Sequence, residues 1–182
     1  IKVVVSALDK DENVKTDFTG TVSFTSSDNL AILSPDYTFV DSDRGSKEFT
    51  FKLKTAGSQT IGVKSDDKTA SSELLVGPAD AVDIKISLEK GEISPTDVIQ
   101  VSVVAVDVFG NEFDVTNESK LSIDTEAGGN FTDNFYEAGN EGIWTVIATY
   151  AFGDKTLTDG AVLTVSKAAP EEKPEEKPAE KP

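Results

Sequence analysis

The stretch "IQVSVVAVDVFGN" (residues 99–111) joins a strand signal to a turn signal. Apolar residues occupy alternate positions from Ile99 to Ala105, which is typical of a β-strand with one buried face. Gly110 and Asn111 follow, and both residue types favour turns. The same alternation recurs in four other segments: residues 20–26, 47–54, 59–65 and 142–150. With no convincing helical pattern, the sequence predicts an all-β protein.

Most of this stretch has a similar counterpart near the start of the chain. Residues 3–13, "VVVSALDKDEN", align with residues 101–111, "VSVVAVDVFGN". The identical pairs are Val3/Val101, Val5/Val103, Ala7/Ala105, Asp9/Asp107 and Asn13/Asn111. Such self-similarity indicates two copies of one fold. Because Gly77-Pro78 separates two strand patterns, we predict two tandem β-sandwiches, at residues 1–77 and 78–167.

The alignment also indicates that the second copy has a segment before the matched strand that the first copy lacks in this sequence. Residues 81–94 precede the matched strand of the second copy and should form its first strand. The counterpart in the first copy would lie before Ile1, and the chain contains no Met. We therefore expect a processed or excised chain whose first domain lacks its first strand. The alternative is an open sheet edge that accepts a strand from a partner.

The end of the chain has a different composition. Residues 168–182, "AAPEEKPEEKPAEKP", repeat Pro, Glu and Lys and offer no apolar residue larger than Ala. Proline lacks a backbone donor, and the charged residues stay hydrated, so a packed core cannot form. The sequence predicts a disordered, extended spacer here.

Composition excludes several classes of function. The formal charge of −16, from 33 acidic and 17 basic residues, argues against nucleic acid and anionic membranes as partners. Without Cys or His, the chain has no thiol or imidazole nucleophile, zinc site or disulfide. No acidic pair has a spacing that singles it out for catalysis, so we predict no catalytic residues and no enzyme activity. Calcium is the only cofactor worth weighing, since oxygen ligands are plentiful.

One loop spaces its polar residues like a calcium loop. The candidate ligands stand at the first, third, fifth and ninth places: Asp9, Asp11, Asn13 and Asp17. An EF-hand would need Gly where Val14 stands and Glu where Gly20 stands, so only a looser site in a β-loop remains. The alternative is a turn, because Asp and Asn bond their own backbone. The turn is favoured because Asp9 and Asn13 recur in the second copy, whereas Asp11 is replaced by Phe109.

Aromatic residues offer a candidate ligand-binding surface. Phe135 and Tyr136 are adjacent in "NFTDNFYE" (residues 130–137), so in a strand they face opposite ways and one of them can be exposed. An exposed aromatic ring could stack on a sugar. Trp144 instead alternates with Val146 and Ala148, which favours the core.

Residues 16–67 resemble a known family, through "TGTVSFTSSD", "DYTFVDSD" and "FTFKLKTAGSQTIGVKSDD". They are similar to immunoglobulin-like repeats of large bacterial, and some archaeal, cell-surface proteins. The resemblance implies that the two tandem β-sandwiches are immunoglobulin-like and form a stalk module near adhesive or S-layer units, located outside the cell at its surface or wall. It implies partners that are neighbouring modules of the same polypeptide. No apolar run approaches the roughly 18 residues of a membrane span, so we predict no membrane insertion in this chain. The alternative function is an adhesin-like or carbohydrate-binding module that recognises a host or wall glycan or protein.

Overall fold

The computed structural model describes residues 1–167, and the spacer predicted at residues 168–182 lies outside them. The contacts divide the chain into two compact units. Unit 1 comprises Ile1–Val82 and Val106–Phe113. Unit 2 comprises Asp83–Ala105 and the described residues from Asp114 onward. The turn at residues 107–111 therefore packs with unit 1, while the domain boundary at residues 77 and 78 stays a prediction.

Unit 1 is built from two small sheets. Its strands are β1 (Lys2–Ser6), β2 (Thr21–Ser26), β3 (Tyr37–Thr38), β4 (Ser46–Thr50), β5 (Gly57–Ser65) and β6 (Lys68–Val76). One sheet has the order β3-β2-β5-β6, and the other pairs β1 with β4 in antiparallel register. Residues of these strands, and residues directly after β3 and β4, form a buried core of Val22, Phe39, Phe49, Phe51 and Ile61.

Unit 2 contains longer strands and further pairings. The strands that lie wholly or partly in unit 2 are β7 (Ala81–Leu88), β8 (Glu92–Ile93), β9 (Val98–Asp107), β10 (Glu112–Asp114), β11 (Ser119–Ile123), β12 (Asn130–Thr132), β13 (Phe135–Glu137), β14 (Gly142–Phe152) and β15 (Lys155–Val165). One sheet has the order β10-β9-β13-β12, with β7 also paired to β9. The other has the order β11-β14-β15-β8, in which β8 runs parallel to β15.

The apolar alternation seen in the sequence builds the core of unit 2. Ile99 is 1% exposed, and Val101, Val103 and Ala105 are fully buried. Residues from both sheets complete the buried cluster: Ile93, Tyr136, Ala138, Val146, Leu163 and Val165. The all-β prediction is therefore confirmed. The strand predicted at residues 47–54 ends earlier, at Thr50, and Lys52 instead forms an isolated bridge with Ile32.

The last hairpin of each unit has the same construction. β5 and β6 are joined by Asp66-Asp67, since Ser65 pairs with Lys68. β14 and β15 are likewise joined by two residues, since Phe152 pairs with Lys155. In both loops the first residue takes a left-handed backbone, with φ of 49° at Asp66 and 54° at Gly153. Two-residue loops need such a conformation, which Gly and Asp tolerate.

Helical structure is confined to single 3-10 turns within the described residues. These turns are Asp41–Asp43, Thr116–Glu118 and Thr125–Ala127. No helix in residues 1–167 has the length and apolar character needed to cross a membrane.

Candidate functional site

The first candidate site is the turn that follows β1, at residues 9–13. Asp9 Oδ1 accepts the backbone N–H groups of Asp11 at 2.9 Å and Asn13 at 3.0 Å. The Asp9 N–H in turn donates to the Asn13 carbonyl at 2.8 Å. Glu12 lies in the left-handed region with φ of 64°, which closes the loop. The Asp9 carboxylate therefore holds the turn together from within.

The turn that follows β9, at residues 107–111, is built the same way. Asp107 Oδ1 accepts the N–H groups of Phe109 at 2.8 Å and Asn111 at 2.9 Å. The Asp107 N–H donates to the Asn111 carbonyl at 3.0 Å. Gly110, with φ of 85°, takes the left-handed place that Glu12 has in the first turn. The shared Asp and Asn thus meet a local backbone requirement, as the turn interpretation predicts.

The second turn makes further contacts that the first does not. Asn111 Nδ2 donates to the Lys54 carbonyl at 2.7 Å, and Asn111 Oδ1 accepts the Ala56 N–H at 2.9 Å. Asp107 Oδ2 accepts Asn111 Nδ2 at 2.7 Å and the Ala79 N–H at 2.8 Å. Asp107 is accordingly buried, at 2% exposure. The turn therefore fastens two other stretches of unit 1.

Asp28 bonds the stretch at residues 54–56 that Asn111 also bonds. Its Oδ2 accepts the N–H groups of Lys54 at 2.6 Å and Thr55 at 3.1 Å. Its Oδ1 accepts Thr55 Oγ1 at 2.6 Å and the Leu30 N–H at 2.9 Å. Residues 54–56 are thus held by Asp28 and Asn111, and we call this arrangement of Asp28, residues 54–56 and Asn111 the polar clamp.

The hydrogen bonds of this region favour ionised carboxylates. Burial alone disfavours the charged form of Asp107, but the bonds from Asn111, Ala79 and Phe109 outweigh it and lower the pKa of Asp107 to about 2. The same two opposing effects act on the pKa of Asp28. Burial opposes its ionisation, but the bonds from Thr55, Lys54 and Leu30 hold its pKa well below the usual range. Both groups are therefore charged at neutral pH and fully engaged in the fold.

The candidate calcium ligands do not converge on one point. Asp11 pairs with Lys10 at 2.8 Å, and Asp17 pairs with Lys15 at 2.8 Å. The Asp11 and Asp17 side chains are 62% and 79% exposed, whereas Asp9 Oδ1 faces its own turn. Within residues 1–167, no group of three or more Asp, Glu, His or Cys side chains is placed to hold a metal ion. The calcium site stays a prediction.

The two adjacent aromatic residues face opposite sides of β13, as predicted. Tyr136 is fully buried, and its hydroxyl donates to the Gly128 carbonyl at 2.7 Å. Phe135 is 46% exposed. Tyr136 therefore belongs to the core and presents no surface to a ligand, so Phe135 is the candidate that remains. Trp144 is half-buried against the same core, and its Nε1 donates to the Asn140 carbonyl at 3.0 Å.

Sequence reasoning did not single out Asp28 or residues 54–56. Asp28 is the second residue after β2, in a turn where Asp commonly bonds nearby backbone, and its bond to the Leu30 N–H is of that kind. Its other partners are Lys54 and Thr55, which lie far along the chain. Because it is mainly their backbone groups that bond, their side-chain types carried little signal.

Comparisons with known proteins agree with the sandwich fold. No family model and no curated protein matches the sequence. Among solved structures, the Escherichia coli adhesin FdeC aligns with 90% of this chain and 57% of that chain, at 18% identity and a TM-score of 0.60. Domains 5–6 of the S-layer protein SbsC align with 93% of this chain and 91% of that chain, at 22% identity and a TM-score of 0.37. The likeness to FdeC shows that the fold is an immunoglobulin-like β-sandwich.

Proposed function

We propose that this chain is a non-catalytic spacer module of a larger extracellular surface protein. The observation that carries the proposal is how the loop polar groups are used. Asp9, Asp28, Asp107 and Asn111 bond the backbone of the chain itself. A catalytic or ligand site would need such groups to converge on free space, whereas here they brace the loops of a β-sandwich.

The charge and the fold support the same role. At −16, the chain repels other copies of itself, which favours separate, soluble modules. The fold is shared with a bacterial adhesin, and sandwich modules of this kind suit tandem arrangement. The partners of such a module are neighbouring modules of the same polypeptide, at the cell surface or wall. The lack of His and Cys is consistent with a module that has no catalytic role.

Single-molecule pulling of the whole chain between two handle domains tests the spacer role. A spacer should resist extension and then yield in two force peaks, one for each unit. Each peak should release about 250–300 Å of contour length, from roughly 80 residues at 3.3–3.6 Å each. Refolding on relaxation should restore both peaks. Featureless extension at low force would count against the proposal.

Phe135 is the observation that favours the alternative function, an adhesin-like or carbohydrate-binding module. Its ring is nearly half exposed on β13. Screening the chain against glycans and candidate surface proteins tests this alternative. Saturable binding that is lost in Phe135→Ala would favour it. Phe109→Ala is the matched control, because Phe109 is another aromatic residue with 40% exposure. Binding that both variants lose equally, or no binding, would favour the spacer.

A further inference from the structure

The β1 strand of unit 1 has one paired edge and one open edge. The backbone groups of Ile1 and Ala7 point toward β4 and the residues that flank it. The Ile1 carbonyl accepts the Phe51 N–H at 3.0 Å, and the Ala7 N–H donates to the Gly45 carbonyl at 2.8 Å. Antiparallel strands alternate the direction of their backbone groups. The N–H and C=O groups of Lys2, Val4 and Ser6 therefore point away from β4. In the described residues, β1 pairs with β4 alone.

An apolar groove runs beside this open edge. It has a volume of about 670 Å³ and lies between β1 and the β5–β6 hairpin. Its apolar lining includes Val3, Val5, Phe24, Ile61, Val63 and Leu74. A second depression of about 410 Å³ shares Val5 and Val63 and continues past Leu8. The groove thus follows β1 along its whole length.

Unit 2 shows what fills the equivalent place. There β7 pairs with β9, the counterpart of β1, and β8 pairs with β15. Ile93 of β8 enters the core with Val101, Leu163 and Val165. As a result Val101 and Val103 are fully buried, whereas the aligned Val3 and Val5 are only half-buried. The groove of unit 1 therefore corresponds to the position of β7 and β8.

The turn of each copy marks the entry to this position. Asp107 Oδ2 accepts the N–H of Ala79, which leads directly into β7. Asp9 is the aligned residue of the first copy, and its Oδ1 makes the same turn bonds as Asp107 Oδ1. Asp9 is exposed, and its Oδ2 corresponds by this alignment to the Asp107 oxygen that accepts the Ala79 N–H.

From this geometry we infer that the groove of unit 1 is a docking site for an extended polypeptide strand of the β7–β8 type. The occupant is an extended segment with apolar residues at the spacing of Ala81, Ile84, Ile86 and Ile93. Its backbone bonds Lys2, Val4 and Ser6, and its apolar side chains cover Val3 and Val5. Strand addition of this kind gains affinity from main-chain bonds and selectivity from the alternate side chains.

A synthetic peptide of residues 78–94 is the probe, labelled with a fluorophore and titrated with the whole chain. We expect saturable binding. Val4→Pro removes an edge N–H and leaves the bonds between β1 and β4 in place. Ser72→Glu places a charge in the groove from an exposed position on β6. Each variant should weaken binding about tenfold or more, since the loss of one or two net hydrogen bonds corresponds to that factor.

Leu75→Glu is the matched control, because Leu75 lies on β6, is 83% exposed and faces away from the groove. It should bind the peptide like the unmodified chain. A peptide with Asp at positions 84 and 86 should not bind. Absent binding, or equal binding by all variants and both peptides, would overturn the inference. So would a dimer of the chain that Val4→Pro dissolves, because the occupant would then be a second copy's edge.

Discussion

Asn111 Nδ2 and the backbone carbonyl of Lys54 lie 2.7 Å apart, so the second of the two aligned turns bonds a distant stretch of the chain. Asn13 occupies the aligned place in the first copy, yet it is exposed, and its backbone bonds Asp9 of its own turn. The sequence pattern at the two sites is the same, and the surroundings differ. Only the second turn is part of the polar clamp.

The ionised carboxylates of unit 1 predict sensitivity to acid. The pKa of Asp107 is lowered to about 2 in the folded chain, and that of Asp28 is lowered further. A lowered folded-state pKa contributes stability above the unfolded pKa of about 4 and loses it as pH falls toward the folded value. Urea unfolding between pH 7 and pH 2 should therefore show a falling midpoint below pH 4.

Asp107→Asn assigns part of this loss to one residue. At pH 7 the variant should be less stable by about 1–3 kcal/mol, because the Ala79 and turn N–H groups lose a charged acceptor. The gap to the unmodified chain should shrink as pH falls below 4. Asp67→Asn, in an exposed hairpin loop, is the control and should change little at any pH. A gap that stays constant down to pH 2 would refute the assignment.

The adjacent residues Phe135 and Tyr136 should respond differently to truncation. Tyr136→Ala removes a fully buried ring and should destabilise unit 2 by about 3–5 kcal/mol. Tyr136→Phe loses only the bond to Gly128 and should cost about 1 kcal/mol. Phe135→Ala should cost less than about 1 kcal/mol. Fluorescence of Trp144, the single Trp, reports unfolding of unit 2, and equal losses at 135 and 136 would contradict the core assignment of Tyr136.

Calcium distinguishes the two interpretations of residues 9–17. If the loop is a turn, the melting temperature should be the same in millimolar Ca²⁺ and in chelator. A calcium site would instead raise the melting temperature, and chelator would reverse the rise. Asp11→Asn and Asp17→Asn test the ligands that only the first copy has. A calcium-dependent rise that both variants abolish would replace the turn interpretation with a metal site.

Local alternation was enough to predict much of the fold. Ile99, Val101 and Val103 face one side of β9, and the structure buries that side. The turn role of Asp9 and Asp107 was also readable, because a short Asp–Asn spacing bonds its own backbone. The polar clamp was not, since Asp28 and Asn111 meet residues 54–56 mainly through backbone groups brought near by tertiary packing. Hydrogen bonds between residues far apart in the sequence form only when the whole sandwich has folded.

The stability cost of Asn111→Ala, measured beside that of Asn13→Ala, tests most directly whether the loop polar groups serve the fold. Hydrogen exchange of residues 54–56 and the urea midpoint by circular dichroism are the two readouts. Asn111→Ala should speed exchange at residues 54–56 and destabilise the chain by about 1–3 kcal/mol. Asn13→Ala should stay within about 0.5 kcal/mol of the unmodified chain. Equal effects of the two variants, or unchanged exchange at residues 54–56 in Asn111→Ala, would contradict the account.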